Sequence, residues 1–301
     1  MHLMPARWRR RALIVLIAGL ASVGIDAATA AETPVARGSY LVNTILACGN
    51  CHSPRDNAGA AIADRAFSGG LTISTPAFTA TAPNITQDRD TGIGDWTDAE
   101  IKRALLEGTR PDHGELAGAP LAAAMPTGFY KALLPADLDA IVAYLRTVKP
   151  IKNRVPPPIY TAPVRRQPYP EAEAGFANAD FTNPVRRGAY LVTIGHCMEC
   201  HSTWSAGRSD FVNGLGHGGR PFGPTLVHGL GADWHGVVAP NITGASAAGL
   251  GTWSDAEIDN AIRHGIARDG HRLLQPMAFV FYAGLRDGDV ADIIAYLRTL
   301  R

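Results

Sequence analysis

Sulfur and unbalanced charge are both scarce in this sequence. Its 301 residues include four cysteines and five methionines, and 28 lysines and arginines nearly offset 27 aspartates and glutamates. That balance, with no basic patch along the chain, sets nucleic acid aside as a partner. Membrane spans are lacking too: beyond the N-terminus no run approaches the roughly 20 apolar residues a crossing helix needs. No segment shows the apolar/polar alternation of a half-buried strand, so the expected fold class is all-α.

The one long apolar run, Ala12 to Val23, follows Arg7, Arg9, Arg10 and Arg11 and precedes the small-x-small triplet Ala28-Thr29-Ala30. A positive region, a short apolar core and small residues at a cleavage point mark residues 1–30 as a secretory signal, with uncleaved anchoring as the alternative. The expected location is periplasmic. Removing that segment takes lysine plus arginine from 28 to 24 and the acids from 27 to 26, leaving a net charge near −2.

What the chain does have, it has twice. Arg37-Gly38-Ser39-Tyr40-Leu41-Val42 returns as Arg187-Gly188-Ala189-Tyr190-Leu191-Val192, and Cys48-Gly49-Asn50-Cys51-His52-Ser53 as Cys197-Met198-Glu199-Cys200-His201-Ser202. Ala82-Pro83-Asn84-Ile85-Thr86 recurs letter for letter at 239–243, Trp96 to Ile101 as Trp253 to Ile258, and Ala143 to Thr147 as Ala295 to Thr299. The order is conserved between the halves, so a whole domain has been duplicated, each copy longer than a solenoid repeat. The expected domains are residues 31–150 and 181–301. Between them, residues 151–180 are rich in proline, which favours a semi-rigid extended linker.

Within each copy the regular structure reads as helical. Tyr40, Leu41, Thr44 and Ile45 share one helix face ending near the first cysteine. Thr97 with Glu100, and Ser254 with Glu257, form capping boxes that open a second helix, which Gly108 and Gly265 should stop. A last helix carries Leu138, Ile141, Val142 and Leu145, matched by Val290, Ile293, Ile294 and Leu297. Gly38 and Gly188 suit a close crossing of the first helix with the last. Apolar area from these helices alone is thin for units of this size, and a bulky buried cofactor would supply the missing interior.

The chemistry lies in the cysteines. C-x-x-C alone suits a small disulfide loop or half a zinc site, but the next residue decides, because C-x-x-C-H is the attachment signature of c-type haem. Two thiols three positions apart add to the two vinyl groups of one porphyrin, and the adjacent histidine lies beneath the iron. The assignment is two covalently bound haems c, one on Cys48, Cys51 and His52, the other on Cys197, Cys200 and His201. No cysteine is left over, and zinc would need further ligands at suitable spacing.

A sixth ligand separates carriers from enzymes. Met1 and Met4 leave with the signal and Met198 lies inside a haem motif, so one methionine remains per domain, Met125 and Met277, at equivalent points before the last helix. That placement favours axial ligation, with core filling as the alternative. His113 and His271 are the competing ligands, although a solvent-facing loop or propionate partner is the simpler reading of both. His217, His228 and His235 gather in a Gly-rich stretch that suits a surface loop better than a separate metal site. Trp96 and Trp253 suit a haem edge or plain core packing, and Asn84 and Asn241 a propionate contact or a turn.

With these blocks placed, the chain resembles the cytochrome c subunits of bacterial periplasmic dehydrogenases, those of alcohol, gluconate and sorbitol dehydrogenases and of some molybdenum hydroxylases. The likeness spans roughly residues 35–301; its marks are the two C-x-x-C-H motifs, APNIT, TGIGDWTDAEI and AYLRTL. It implies two tandem class I cytochrome c domains, with iron held by His52 and Met125 in one and by His201 and Met277 in the other. It also implies a dehydrogenase as electron donor and a cytochrome, quinone or terminal oxidase as acceptor; the membrane contact expected of this chain is peripheral, through its partner. The alcohol dehydrogenase subunits usually carry three haem domains and a C-terminal membrane helix, whereas two domains are visible here. The expected role is thus an electron carrier rather than an enzyme. The alternative is a dihaem redox enzyme, peroxidase-like or sulfur-oxidising, with one substrate-accessible haem; the sulfur-oxidising kind typically uses a cysteine ligand, and none is free.

Overall fold

The computed structural model describes residue 2, residues 32–244 and residues 247–301. The secretory signal read at residues 1–30 therefore lies, apart from His2, outside the described residues. Among the described residues no helix is long and apolar enough to cross a membrane.

In the first half α1 (Pro34–Asn43) leads to α2 (Cys48–His52), strands β1 (Thr72–Ser74) and β2 (Phe78–Thr81), then α3 (Asp98–Glu107), α4 (Thr127–Tyr130) and α5 (Pro135–Leu145). The connecting segment holds β3 (Ile159–Tyr160) and α6 (Pro170–Ala174). The second half repeats the plan with α7 (Pro184–Ile194) and α8 (Cys197–His201). Five strands follow: β4 (Thr203–Ser205), β5 (Arg208–Asp210), β6 (Pro221–Phe222), β7 (Val227–His228) and β8 (Val237–Val238). It closes with α9 (Asp255–His264), α10 (Phe279–Tyr282) and α11 (Asp287–Leu297).

The all-α expectation is overturned. The described residues contain three small sheets, a four-stranded one in the order β3-β2-β1-β7 and the pairs β4-β5 and β6-β8. The fold is mixed. These strands run only two to four residues, too short to display the alternation over 4–8 residues by which a strand is read from sequence. The longest sheet draws on three regions. Thr72 and Ile73 pair antiparallel with His228 and Val227 of the second half, while Phe78 and Thr79 pair with Tyr160 and Ile159 of the connecting segment.

The helical plan stands beneath these sheets. Thr97 and Ser254 complete both capping boxes, and Gly108 (φ 71°) and Gly265 (φ 63°) end α3 and α9 in the left-handed region, where glycine pays no Cβ penalty. Helix α1 crosses α5, and α7 crosses α11, at glycine. A Cβ on Gly38 would come within 1.8 Å of the Ala140 carbonyl oxygen, and one on Gly188 within 1.8 Å of that of Asp292.

Each crossing is pinned by an ion pair within its own half, whose carboxylate also accepts a tyrosine hydroxyl from the other half. Arg37 grips Asp137 of α5 through two bonds of 2.8 and 2.9 Å, and the Tyr190 hydroxyl of α7 donates to the same carboxylate at 2.6 Å. In mirror fashion Arg187 pairs with Asp289 of α11, and the Tyr40 hydroxyl of α1 donates to Asp289. The repeated R-G-x-Y block thus spends its arginine within its own half and its tyrosine on the other. Such reciprocal contacts are those of a two-fold interface, here built inside one chain. Leu41, Val42 and Ile141 of the first half and Val192, Ile194 and Ile294 of the second belong to one continuous core. The connecting segment joins that core through Tyr169, only 2% exposed and stacked on Phe129 at 4.6 Å.

Candidate functional site

Both C-x-x-C-H motifs form short helices, α2 and α8, entered through a residue in the left-handed region: Ala47 (φ 46°) and His196 (φ 43°). A non-glycine residue there costs about 1–3 kcal/mol and persists only where surrounding contacts enforce it. The bend lets each motif leave its preceding helix at once and present its cysteines and histidine to the interior.

All four cysteines are free. Burial, reinforced by the neighbouring Cys51, pushes the Cys48 thiol up to about 12, and burial likewise pushes Cys51 up to about 11 and Cys197 and Cys200 up to about 12. Cys51 is exposed, but towards the cavity it lines. Dithiol exchange works through a thiolate of depressed pKa, and burial acts in the opposite direction at all four cysteines.

Each histidine is held by the same backbone group. His52 Nδ1 lies 2.7 Å from the Pro83 carbonyl oxygen, and His201 Nδ1 lies 2.9 Å from that of Pro240. A carbonyl only accepts, so Nδ1 carries the proton and Nε2 keeps its lone pair for a metal. Burial lowers the pKa of both rings, against a smaller opposing effect of that hydrogen bond, and keeps them neutral.

The identical pentapeptides at 82–86 and 239–243 now have a job. Asn84 Oδ1 accepts from the Thr86 backbone at 2.9 Å and its hydroxyl at 2.8 Å, and Asn241 does the same for Thr243 at 2.8 Å each. That turn fixes the proline carbonyl against the imidazole, as the turn reading of both asparagines expects. Pro83 and Pro240 were missed as functional residues, although their letter-for-letter repetition was the available signal.

All eight predicted site residues line one continuous cavity of about 1870 Å³: Cys48, Cys51, His52 and Met125 of the first half, Cys197, Cys200, His201 and Met277 of the second. Small-molecule pockets usually hold about 300–1,000 Å³, so this interior exceeds what one ordinary ligand fills. Met125 and Met277 are half-buried and pack against the core, as do Trp96 and Trp253. His113 and His271 also line the cavity, but each meets a carboxylate, Glu100 at 3.2 Å and Asp269 at 2.5 Å. His217 and His228 go to separate partners, the Arg301 carbonyl oxygen at 2.7 Å and the Ser74 hydroxyl at 3.1 Å. Among the described residues no group of three or more His, Cys, Asp or Glu is placed to hold a metal ion.

The donor set of each half fits haem c: paired thiols, a neutral imidazole with a free Nε2, and an apolar interior with a methionine. Arg166 and Arg220 add to the fit. Both line the cavity, and each leaves a buried Nε without a protein partner. An acidic substituent on the bound group would satisfy such a donor.

A duplicated chain whose halves each offer this set to one interior is of the c-type cytochrome class. Comparison with known proteins agrees: the cytochrome c family model matches residues 35–149 and again residues 185–301, and the chain belongs to that family. It is similar to the fructose dehydrogenase cytochrome subunit of Gluconobacter japonicus, 30% identical over 297 residues, which cover 91% of this chain and 54% of that one. It is similar also to the gluconate 2-dehydrogenase cytochrome c subunit of Pantoea cypripedii, 29% identical over 303 residues, covering 96% and 64% of the two chains. A diheme cytochrome c-type protein of Cereibacter sphaeroides is 30% identical over 261 residues, 83% of this chain and 81% of that one. The chain thus spans little more than half the length of the fructose dehydrogenase subunit.

Proposed function

We propose that this chain is a periplasmic two-haem electron carrier, accepting electrons from a partner dehydrogenase and passing them to a cytochrome, quinone or terminal oxidase. The observation that carries the proposal is the pair of matching donor sets on one cavity, each with a histidine whose Nδ1 is tied to a proline carbonyl. Haem supplies reversible one-electron chemistry when bound.

The protein's part is to hold and to exclude. Cys48 and Cys51, and Cys197 and Cys200, would anchor one group each through thioethers, formed by adding S–H across a vinyl double bond with no oxidant consumed. His52 and His201 would hold the metal through Nε2, with Pro83 and Pro240 setting the ring orientation and raising its basicity. Met125 and Met277 would be the further residues holding each group, and thioether ligation would raise its potential and close it to substrate. Arg166 and Arg220 would meet the carboxylates of the two groups.

The donor is inferred from the relatives, whose names place them as cytochrome subunits of fructose and gluconate dehydrogenases. Oxidising an alcohol or sugar releases two electrons, and two one-electron sites accept both. Contact with a membrane would run through that partner.

The test is an absorption spectrum with a potentiometric titration, on protein matured in a periplasm. Two low-spin haems, a near-infrared methionine–iron band and no carbon monoxide binding are expected. A high-spin or carbon monoxide-reactive haem would overturn the carrier reading for that half and favour a substrate-accessible redox enzyme.

A further inference from the structure

The segment that carries Met277 is not held by its own half alone. Asn50 sits inside the first attachment motif, on α2, and its side-chain Nδ2 donates to the Pro276 carbonyl oxygen at 2.8 Å, directly before Met277. The orientation of this amide is forced by its other end. Arg55 donates to Asn50 Oδ1 at 2.7 Å, and a guanidinium has nothing but donors, so the nitrogen must face Pro276. The carbonyl of the residue before, Gln275, accepts from Trp234 Nε1 at 2.8 Å.

Trp234 in turn stands on a loop docked against the first half. The Ala232 N–H donates to the Asn57 carbonyl oxygen at 3.0 Å, and a Cβ on Gly59 would lie 2.4 Å from that of Leu230. Helices α2 and α10 are in close contact beside it, since a Cβ on Gly49 would come within 2.8 Å of the Phe281 ring. The converse contact is missing. Glu199 occupies the place of Asn50 in the second motif, and a carboxylate cannot donate to a carbonyl. Its side chain meets His196 at 3.3 Å and Arg220 at 4.0 Å instead.

We infer that Asn50 is a positioning residue for the second haem: from within the first attachment motif it fixes the backbone before Met277, so the Met277–iron bond depends on the first half. The dependence runs one way. The inference rests on Met277 being the axial ligand proposed above.

Three variants of the full chain test it: Met277→Ala, Asn50→Leu, which keeps the volume but loses the donor, and Trp234→Phe, which loosens the same segment without touching an attachment motif. Each is read by carbon monoxide binding to the reduced protein, by the near-infrared band and by a two-component redox titration. Met277→Ala should halve the band and identify the second haem's component. Asn50→Leu and Trp234→Phe should then shift that same component, raise its carbon monoxide reactivity at least several-fold, and leave the other component in place. Both variants titrating as wild type, with a halved band in Met277→Ala, would overturn the inference alone, as would a shift confined to the first haem. An undiminished band in Met277→Ala would instead overturn the ligand reading beneath it. Should Asn50→Leu fail to attach haem, Asn50→Asp, which keeps the size and loses the donor to Pro276, is read in its place with the same two outcomes.

Discussion

The first half closes its side of the cavity with chain that follows it: Arg154, Pro158, Tyr160 and Arg166 of the connecting segment all line the interior, and Arg166 donates to the carbonyl oxygens of Gly108 and Leu121 at 3.0 and 2.6 Å. The second half closes its side with an insertion of its own, whose Trp204 and Phe222 rings lie 4.1 and 5.0 Å from the Arg220 guanidinium. The methionine loops differ likewise, Met277 being tied across the halves through Asn50 while Met125 is held by local turns, its N–H donating to Ala122 at 3.0 Å. Two identical donor sets therefore sit in unlike surroundings. Haem potentials answer to polarity, hydrogen bonding and solvent access around the ligands, so duplication followed by different covering is a route to two unequal potentials in one chain.

The comparison breaks most sharply at the histidines. His52→Ala and His201→Ala should each abolish one component of a redox titration and spare the other; loss of both from either variant would mean that the halves do not act as separate sites. Next come the helix crossings, where the halves should behave alike. Gly38→Ala and Gly188→Ala each force a methyl group against backbone and should cost about 3 kcal/mol, read by denaturant unfolding. A large loss at one crossing and none at the other would end their equivalence.

The reciprocal tyrosines follow. Tyr190→Phe and Tyr40→Phe each remove a hydroxyl donated to a carboxylate of the opposite half, worth about 2 kcal/mol, and double substitution should show whether the two contacts act independently. The capping boxes give the smallest effect, about 1 kcal/mol each for Thr97→Ala and Ser254→Ala. Acid should probe them too. Hydrogen bonds from the backbone N–H of Thr97 and of Ser254 hold Glu100 and Glu257 below the usual carboxylate value. A depressed folded-state pKa stabilises the fold above the unfolded value and loses that contribution as pH falls through the folded one, so both helices should weaken only in acid, measurable by circular dichroism.

Much of the helical plan was legible because its signals are local. Thr97 and Glu100 cap one helix from within four residues, Gly108 stops it ten residues on, and the cysteines and histidine of each motif are neighbours in sequence. The strands were not legible, since Ile73 finds its partner at Val227 and Phe78 at Tyr160, and nothing within a two- to four-residue window announces such pairings. Nor was the second use of the R-G-x-Y block. Gly38 was read as a crossing point, but the Tyr190 hydroxyl's bond to Asp137 exists only because the halves face each other.

Sequence alone determined the duplication, the two C-x-x-C-H motifs and the equivalent places of Met125 and Met277 before the last helix of each half, because these are matters of identity and spacing along the chain. Tertiary structure decided that both donor sets share one cavity, that proline carbonyls orient both histidines, and that the first motif reaches the Met277 loop. Those facts depend on which groups burial brings together, and a hydrogen bond between residues 226 positions apart leaves no trace in local sequence.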